Sequence, residues 1–336
     1  MFYLYQDESL RAQHNAVRNN IGWYDFTHRV AEVEGPDALA FLNKMYVVNL
    51  EKQGIGKAKY TTMLDEDGWI CDDVIIFRLE ENKYWVSTLY MKDLLMRYGW
   101  YAGDYDVTYR DITEEWRMYS VQGPNSMKLV NAVVNEPVDE LKFFNIRDNG
   151  LGDIPMKVAR SGYTGEKFGY ELYVPIGHAA ELEEKLASEG EKVRAVKVTE
   201  VDVMAMTLAA EAGYYLMLDL RRLTPFEAGF EGTIDWKKDF VGKKAARKIR
   251  KIAPKKRLVG IEIPDYDAVI YGGPHGAVVE KDGKAVGRIT KFTYGYTVEK
   301  NIGYAVIDEP YTEIGTKLSA NGYEIIVTDK QHLNKE

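Results

Sequence analysis

The chain has 336 residues, room for about two domains, or three small ones, at roughly 150 residues each. Its 29% charged and 46% AVILMFWYC content supports a sizeable buried core and excludes a disordered chain. Forty-four Lys and Arg against 52 Asp and Glu leave a net charge of −8, which removes any overall electrostatic footprint for nucleic acid or an anionic membrane.

A single cysteine, Cys71, excludes an internal disulfide and Cys-rich metal sites and fits a reducing compartment. Residues 1–13 have no basic segment followed by an apolar block, and no apolar run approaches the ~18 residues of a membrane span. A cytoplasmic protein is expected.

Residues 30–34 alternate like a half-buried strand. Gly35-Pro36 follows, then residues 37–45 with apolar side chains at helical spacing. The same order returns at 118–122, Gly123-Pro124 and 125–134, so two related α+β units are expected. Pro36 and Pro124 suit a first helical turn, where no N–H is needed, and Asp37 and Asn125 add favourable polarity there. Between the units, 59–64, 69–79 and 83–88 read as antiparallel strands joined by turns at 65–68 and 80–82. Helices are expected at about 91–100 and 179–189, the second after a strand at 169–174.

From residue 257 the texture changes. Strand signals at 258–263, 277–280, 285–290, 302–307 and 325–328 are separated by turn chemistry such as Asp282-Gly283 and Asn321-Gly322. An all-β sandwich or barrel is expected. Before it, nine of the fifteen residues 243–257 are Lys or Arg. They read as a solvated helix and linker, or as an anion site or docking face for an acidic partner. No aromatic residue is interleaved for base stacking.

The common site motifs are absent: no Walker loop, dinucleotide fingerprint, G-x-S-x-G elbow or H-E-x-x-H. The five histidines lack ligand spacing, so no metal is expected. Asp72-Asp73 lies inside an otherwise apolar strand, and alternation must turn one carboxylate toward a buried face. Unless paired, protonated or used by a ligand, it costs several kcal/mol, which makes the pair a site candidate. An edge strand with both acids near water is the competing reading. Residues 161–173 combine glycines, tyrosines and glutamates in a way that suits a flat heteroaromatic ligand or, equally, a Gly-rich hairpin.

In order along the chain, these segments resemble the tetrahydrofolate-dependent aminomethyltransferase family, the T-protein of glycine cleavage and its relatives. Residues 13–18 and 22–28 look like its E-H-x-A-V-R and G-x-F-D-x-S-H. Residues 60–64, Asp67-Gly68 and 72–75 look like its Y-T-x-M-L, D-G-G and D-D-L-I. Residues 121–125 and 162–171 are similar to its V-Q-G-P-N and G-Y-T-G-E-x-G-Y-E. Further matches fall at 211–213, 224–229, 239–243 and 299–303.

The resemblance implies an α+β, three-domain, clover-like architecture with a central folate pocket. Its parts would be 1–50 plus 140–242, 51–139, a basic linker helix at 243–254, and a C-terminal β domain at 255–336. Tetrahydrofolate is the implied cofactor. Asp72 is the implied essential carboxylate by the folate, ahead of Asp73, while Glu171 would hold the pterin and Tyr60 would face it. Tyr163, Glu166 and Tyr170 join as cofactor-binding candidates, and Tyr24 and His28 as substrate-side candidates.

The chain also departs from the family. R-D-T-L-R-L-E-A-G becomes 205–213 with Ala205 and Ala209 at both arginine positions, Phe168 is an extra residue, and Thr290-Lys291-Phe292 replaces T-S-G. Arg221, Arg222 and Lys291 are candidate substitute cations. A kept folate side with a remodelled substrate side suggests a methyltransferase that demethylates a small O-, N- or S-methyl donor onto tetrahydrofolate. The alternatives are the glycine-cleavage aminomethyltransferase, whose acidic lipoyl carrier protein could dock on 243–257, and a non-catalytic folate-binding protein. Neither nucleic acid nor membrane is an expected partner.

Overall fold

The computed structural model describes residues 4–162, 164–272 and 276–333. Helix α1 (Glu8–Asn19) is capped by Asp7, whose carboxylate accepts from the Leu10 N–H at 2.9 Å, and it buries Leu10, His14 and Val17. Strand β1 (Gly22–Asp25) follows. The first α+β unit comprises β2 (Arg29–Glu34), α2 (Ala38–Met45), β3 (Lys57–Leu64), β4 (Ile70–Glu80), β5 (Lys83–Thr88), α3 (Met91–Tyr101) and β6 (Thr108–Asp111). The second comprises β7 (Trp116–Gln122), α4 (Ser126–Val133), β8 (Asn145–Leu151), β9 (Ile154–Arg160), β10 (Gly169–Pro175), α5 (Ala179–Lys192) and β11 (Val196–Lys197).

All eleven strands form one sheet in the order β11-β1-β7-β10-β9-β8-β3-β4-β5-β2-β6. The expected repeat is visible in it. The first unit pairs as β2-β5-β4-β3, the second as β7-β10-β9-β8, and the two join antiparallel at β3 and β8. Strand pairing therefore divides the chain between β6 and β7, and it groups β7 and α4 with β8–β10 rather than with the segment 51–139.

Each unit turns on a glycine. Gly35 and Gly123 have φ of 141° and 123°, and a Cβ would lie 2.5 Å from the Asp106 carbonyl oxygen and 2.3 Å from that of Asn20. Pro36 and Pro124 belong to these turns, outside the first helical turn where the sequence suggested them. Asp37 and Asn125 make no cap bond to their own helices. They tie the turns sideways instead: Asp37 accepts from the Asp106 N–H, and Asn125 donates to Asn20.

One face of the sheet is covered by helices, α2 and α3 over the first unit and α4 and α5 over the second. The other faces of the two units meet each other, where Val30, Ile75, Phe77 and Trp85 pack on Met118, Ala159 and Tyr173. Their rings meet edge to face, Trp85 to Tyr173 at 5.6 Å between centroids, a geometry worth about 1 kcal/mol beyond burial.

After β11 come a π-helical turn at Val203–Thr207, α6 (Leu208–Ala212), α7 (Met217–Leu220), α8 (Pro225–Ala228) and α9 (Lys243–Ile249). The linker helix is thus shorter than the expected 243–254. The C-terminal strands are β12 (Lys256–Ile263), β13 (Val278–Lys281), β14 (Lys284–Gly295), β15 (Lys300–Asp308), β16 (Lys317–Ala320) and β17 (Tyr323–Thr328). They close a barrel in the order β12-β15-β14-β13-β16-β17, choosing the barrel over the sandwich. Met217 and Leu220 of α7 and Phe226 of α8 wedge between Ile70 of the sheet and Leu258 and Tyr304 of the barrel.

Candidate functional site

Where the two units and the α6–α7 segment converge, a cavity opens in two lobes that share Tyr60, Asp73 and Tyr215. The outer lobe, about 330 Å³, is walled by Phe143, Phe144, Tyr214 and Phe230. The inner lobe, about 90 Å³, is walled by Phe26, His28, Thr88, Ala205, Ala209 and Met217, among others. Among the described residues no Lys or Arg lines either lobe.

Strand alternation decides which acid reaches the cavity. On β4, Asp73 pairs with Thr62 of β3, and Tyr60, two places along on the same face, donates its hydroxyl to Asp73 Oδ2 at 3.0 Å. Asp72 points the other way, into the layer under α2 and α3. There it is 3% exposed and accepts from Thr88 Oγ1 at 2.8 Å and from the Asp73 N–H at 2.9 Å. Burial pushes the Asp72 carboxyl up to about 8, so it is a neutral acid at pH 7. Burial also raises Asp73, opposed by the Tyr60 bond, to about 6. Asp73 therefore ionises close to neutrality beside a ligand-sized space.

Glu171 is 2% exposed and accepts from Ser161 Oγ at 2.8 Å and the Tyr173 hydroxyl at 3.0 Å, both on Oε2. Burial raises its carboxyl. Its neighbour across the Ser161 bond, Gly162, lines the outer lobe. Strand pairing puts Tyr24, Ser120 and Glu171 in one row across β1, β7 and β10. Tyr24 is buried there, and burial raises its phenol.

The glycines of 161–173 have another cause than a flat ligand. A Cβ at Gly162 or Gly169 would strike the Gln122 side chain within 2.6 Å, and one at Gly165 would strike the Leu208 carbonyl at 2.5 Å. They admit a buried glutamine and the start of α6.

The other candidates scatter. Tyr170 alternates to the helix-covered face and packs with Leu172, Leu182 and Leu186, away from the cavity. Glu166 is committed to Arg18, at 3.0 Å. Tyr163 lies outside the described residues. His28 lines the inner lobe with its Nδ1 3.1 Å from Ser87 Oγ, and burial drives its imidazole down to about 4, leaving it neutral at pH 7. Lys291 is buried against Asp219 at 3.3 Å, with the Ala205 and Tyr214 carbonyl oxygens within 3.5 Å, so it braces the cavity wall from behind. Arg222 is exposed and lines a separate cleft.

Sequence reasoning missed the aromatic wall of Phe143, Phe144, Tyr214, Tyr215 and Phe230. Its signal was two doubled aromatics: Phe143-Phe144, where Phe144 takes φ 57°, and Tyr214-Tyr215, directly after the left-handed Gly213 that ends α6.

The architecture is a doubled α+β sheet whose halves enclose an aromatic, carboxylate-bearing cavity, followed by a β-barrel. Residues 2–238 match the GCVT N-terminal domain, and residues 256–324 match the glycine cleavage T-protein C-terminal barrel domain. The chain therefore belongs to the glycine cleavage T-protein family, whose members are tetrahydrofolate-dependent transferases.

It is 32% identical to an aminomethyltransferase of Thermoanaerobacter pseudethanolicus over 334 residues, 97% of this chain and 87% of that one. It is 33% identical to an aminomethyltransferase of Bacillus cereus over 323 residues, 93% and 86% respectively. The fold superposes on the glycine cleavage system aminomethyltransferase T of Bartonella henselae with a TM-score of 0.85 at 23% identity, covering 97% of this chain and 91% of that one. These relatives favour aminomethyl transfer over the demethylation suggested by the remodelled motif.

Proposed function

We propose that the protein is an aminomethyltransferase that passes a one-carbon unit to tetrahydrofolate, with Asp73 as its proton-handling carboxylate. The observation that carries this reading is the position of Asp73, held by Tyr60 where the aromatic and alanine-lined lobes meet. The lining fits the cofactor: an aromatic lobe suits a flat bicyclic ring, and Asp73 offers a carboxylate to N–H donors, while Glu171 lies behind Ser161 and lines neither lobe. Tetrahydrofolate, when bound, supplies the nucleophilic N5. Asp73 is about ten-to-one ionised at pH 7, so it can accept a proton from the incoming amine and return it to the departing group. Asp72 stays neutral behind it and keeps a second negative charge out of the site. Phe26, Tyr215 and Met217 give the inner lobe apolar walls against which the reactants would be positioned.

On this reading the donor is an aminomethyl group on a lipoyl carrier. Its acidic surface would meet the exposed Lys244, Arg247, Lys248 and Arg250 around α9. A second reading has a specific observation behind it. The inner lobe is only about 90 Å³, and with Ala205 and Ala209 in its wall no Lys or Arg lines it among the described residues, which suits a compact, uncharged or cationic methyl donor.

The experiment is the mass of the folate product after incubation with an aminomethyl-loaded carrier and, separately, with methylated donors. Methylenetetrahydrofolate formed only with the carrier supports the first reading. Methyltetrahydrofolate from a small donor replaces it with the second. No folate product in either arm, with tetrahydrofolate bound, leaves a folate-binding protein.

A further inference from the structure

We propose that Arg221, Arg222 and Arg288 form a second binding site, separate from the central cavity, for the phosphoryl or pyrophosphoryl group of a small molecule. The three guanidinium side chains line one cleft of about 350 Å³ between the end of α7 and β14 of the barrel, together with Leu218, Ile289 and Thr290. Among the described residues none of the three forms an ion pair with a carboxylate. The acid within electrostatic reach of Arg288, Asp219, is already bonded to Lys291. Three like charges are thus gathered in a concave space whose one acid in reach, Asp219, is shared with Lys291, an arrangement that an anion completes.

The cluster is also held in place. Arg288 donates from Nη2 to the Arg221 carbonyl oxygen at 3.3 Å, and Lys256 donates to the Arg222 carbonyl oxygen at 3.1 Å. Arg222 itself sits at φ 57°, a left-handed conformation that a non-glycine residue adopts at some cost and that is common at binding sites. Arg288 is half-buried, and burial depresses its guanidinium, as expected for a cation awaiting a partner.

The ligand class follows from donor geometry. One planar guanidinium satisfies a carboxylate with two parallel bonds, whereas three arginines lining one cleft match the several oxygens and higher charge of a phosphate. The site shares a wall with the cavity. Tyr215, Leu216 and Met217 line the inner lobe, and Leu218, Arg221 and Arg222 line the cleft, so α7 separates the two. This inference does not rest on the folate reading, because binding is measured on the protein alone.

The test is isothermal titration of the full chain with inorganic pyrophosphate and, in a second arm, with tri-γ-glutamate, at fixed ionic strength. The expected result is saturable pyrophosphate binding, weakened about tenfold or more in Arg222→Gln and in Arg288→Gln. Lys248→Gln, in the basic run at α9, should leave binding unchanged. Melting temperatures without ligand establish that each variant is folded, and the exposed Arg221→Gln serves as a third probe should Arg288→Gln unfold. Non-saturable binding, equal weakening by Lys248→Gln, or saturation by tri-γ-glutamate in preference to pyrophosphate would overturn the proposal.

Discussion

The Tyr60 hydroxyl donates to Asp73 Oδ2 at 3.0 Å diagonally across the β3–β4 ladder, and this bond steadies the cavity carboxylate and opposes the rise in proton affinity that burial imposes. Asp73 lines the cavity and Asp72 does not, so the two neighbours are expected to have separable roles. Asp73→Asn is expected to cut turnover by about 10² to 10⁴ while tetrahydrofolate binding stays within a few-fold. The wild-type rate should rise with pH through an inflection near 6, where Asp73 loses its proton. Tyr60→Phe removes a bond that favours the ionised form, so the inflection should move up by roughly one unit. A pH profile of kcat/KM checks all three, and a profile that still bends near 6 in Asp73→Asn would remove Asp73 from the chemistry.

Asp72 makes a stability prediction of its own. Its folded-state value, about 8, is raised above the ordinary 3.8, so the folded protein holds this proton more tightly than the unfolded chain. The group is then stability-neutral below about pH 4 and costs stability progressively as pH rises from 4 to 8. Asp72→Asn carries no charge; its oxygen can still accept from the Asp73 N–H while its amide NH2 donates to the Thr88 hydroxyl oxygen. Relative to wild type, this variant should gain at least about 1 kcal/mol between pH 4 and pH 8. Urea unfolding at the two pH values measures the gain, and a constant difference would refute the buried-proton account.

Much of this was legible in the sequence because it is periodic or tied to turn chemistry. The repeated strand, Gly-Pro and helix order became two halves of one sheet, since Gly35 and Gly123 occupy conformations that leave no room for a Cβ. Alternation guaranteed that one of Asp72 and Asp73 would be turned toward a core. Which of them faced the cavity depended on which side of the sheet the helices cover, and that is a tertiary fact. For the same reason Tyr170 fell on the helix side, although it neighbours Glu171 in sequence. The aromatic wall was illegible because Phe143, Phe144, Tyr214, Tyr215 and Phe230 come from three loops with no common period. Lys291 stands at the expected departure from the family motif, yet its charge is used on Asp219.

That buried pair carries the third prediction. Lys291 is buried, burial depresses its ammonium, and Asp219 offsets only part of that fall. Lys291→Met leaves an uncompensated carboxylate behind the cavity wall and should cost about 3 to 5 kcal/mol. Adding Asp219→Asn should recover more than half of that loss, because the desolvated charge is then gone. Chemical denaturation of the two variants checks this. A single variant as stable as wild type would mean that Lys291 is held for a ligand and does not support α6 and α7.

Glu211 links three elements that are far apart in the chain. It accepts from Arg18 of α1 at 2.8 Å and from the Thr297 N–H at 2.7 Å, and His14 Nε2 lies 3.3 Å away. Burial alone would raise its carboxyl, but His14, Arg18 and Thr297 together outweigh burial and hold it at about 2. A depressed folded-state value means stability that is complete above the unfolded value, near 4.5, and is lost as pH falls through the range down to 2. Glu211→Gln is therefore expected to lose about 3 kcal/mol at pH 7 and to approach wild type as pH falls toward 2. The loss should be accompanied by faster amide exchange at the C-terminal end of α1, where Arg18 sits, because Arg18 then keeps Glu166, the Gly165 carbonyl oxygen and the Thr297 hydroxyl but loses its buried carboxylate partner. Protection of α1 unchanged in the variant would mean that apolar packing of Leu10 and Val17, and not the carboxylate, fastens the N-terminal helix to the sheet.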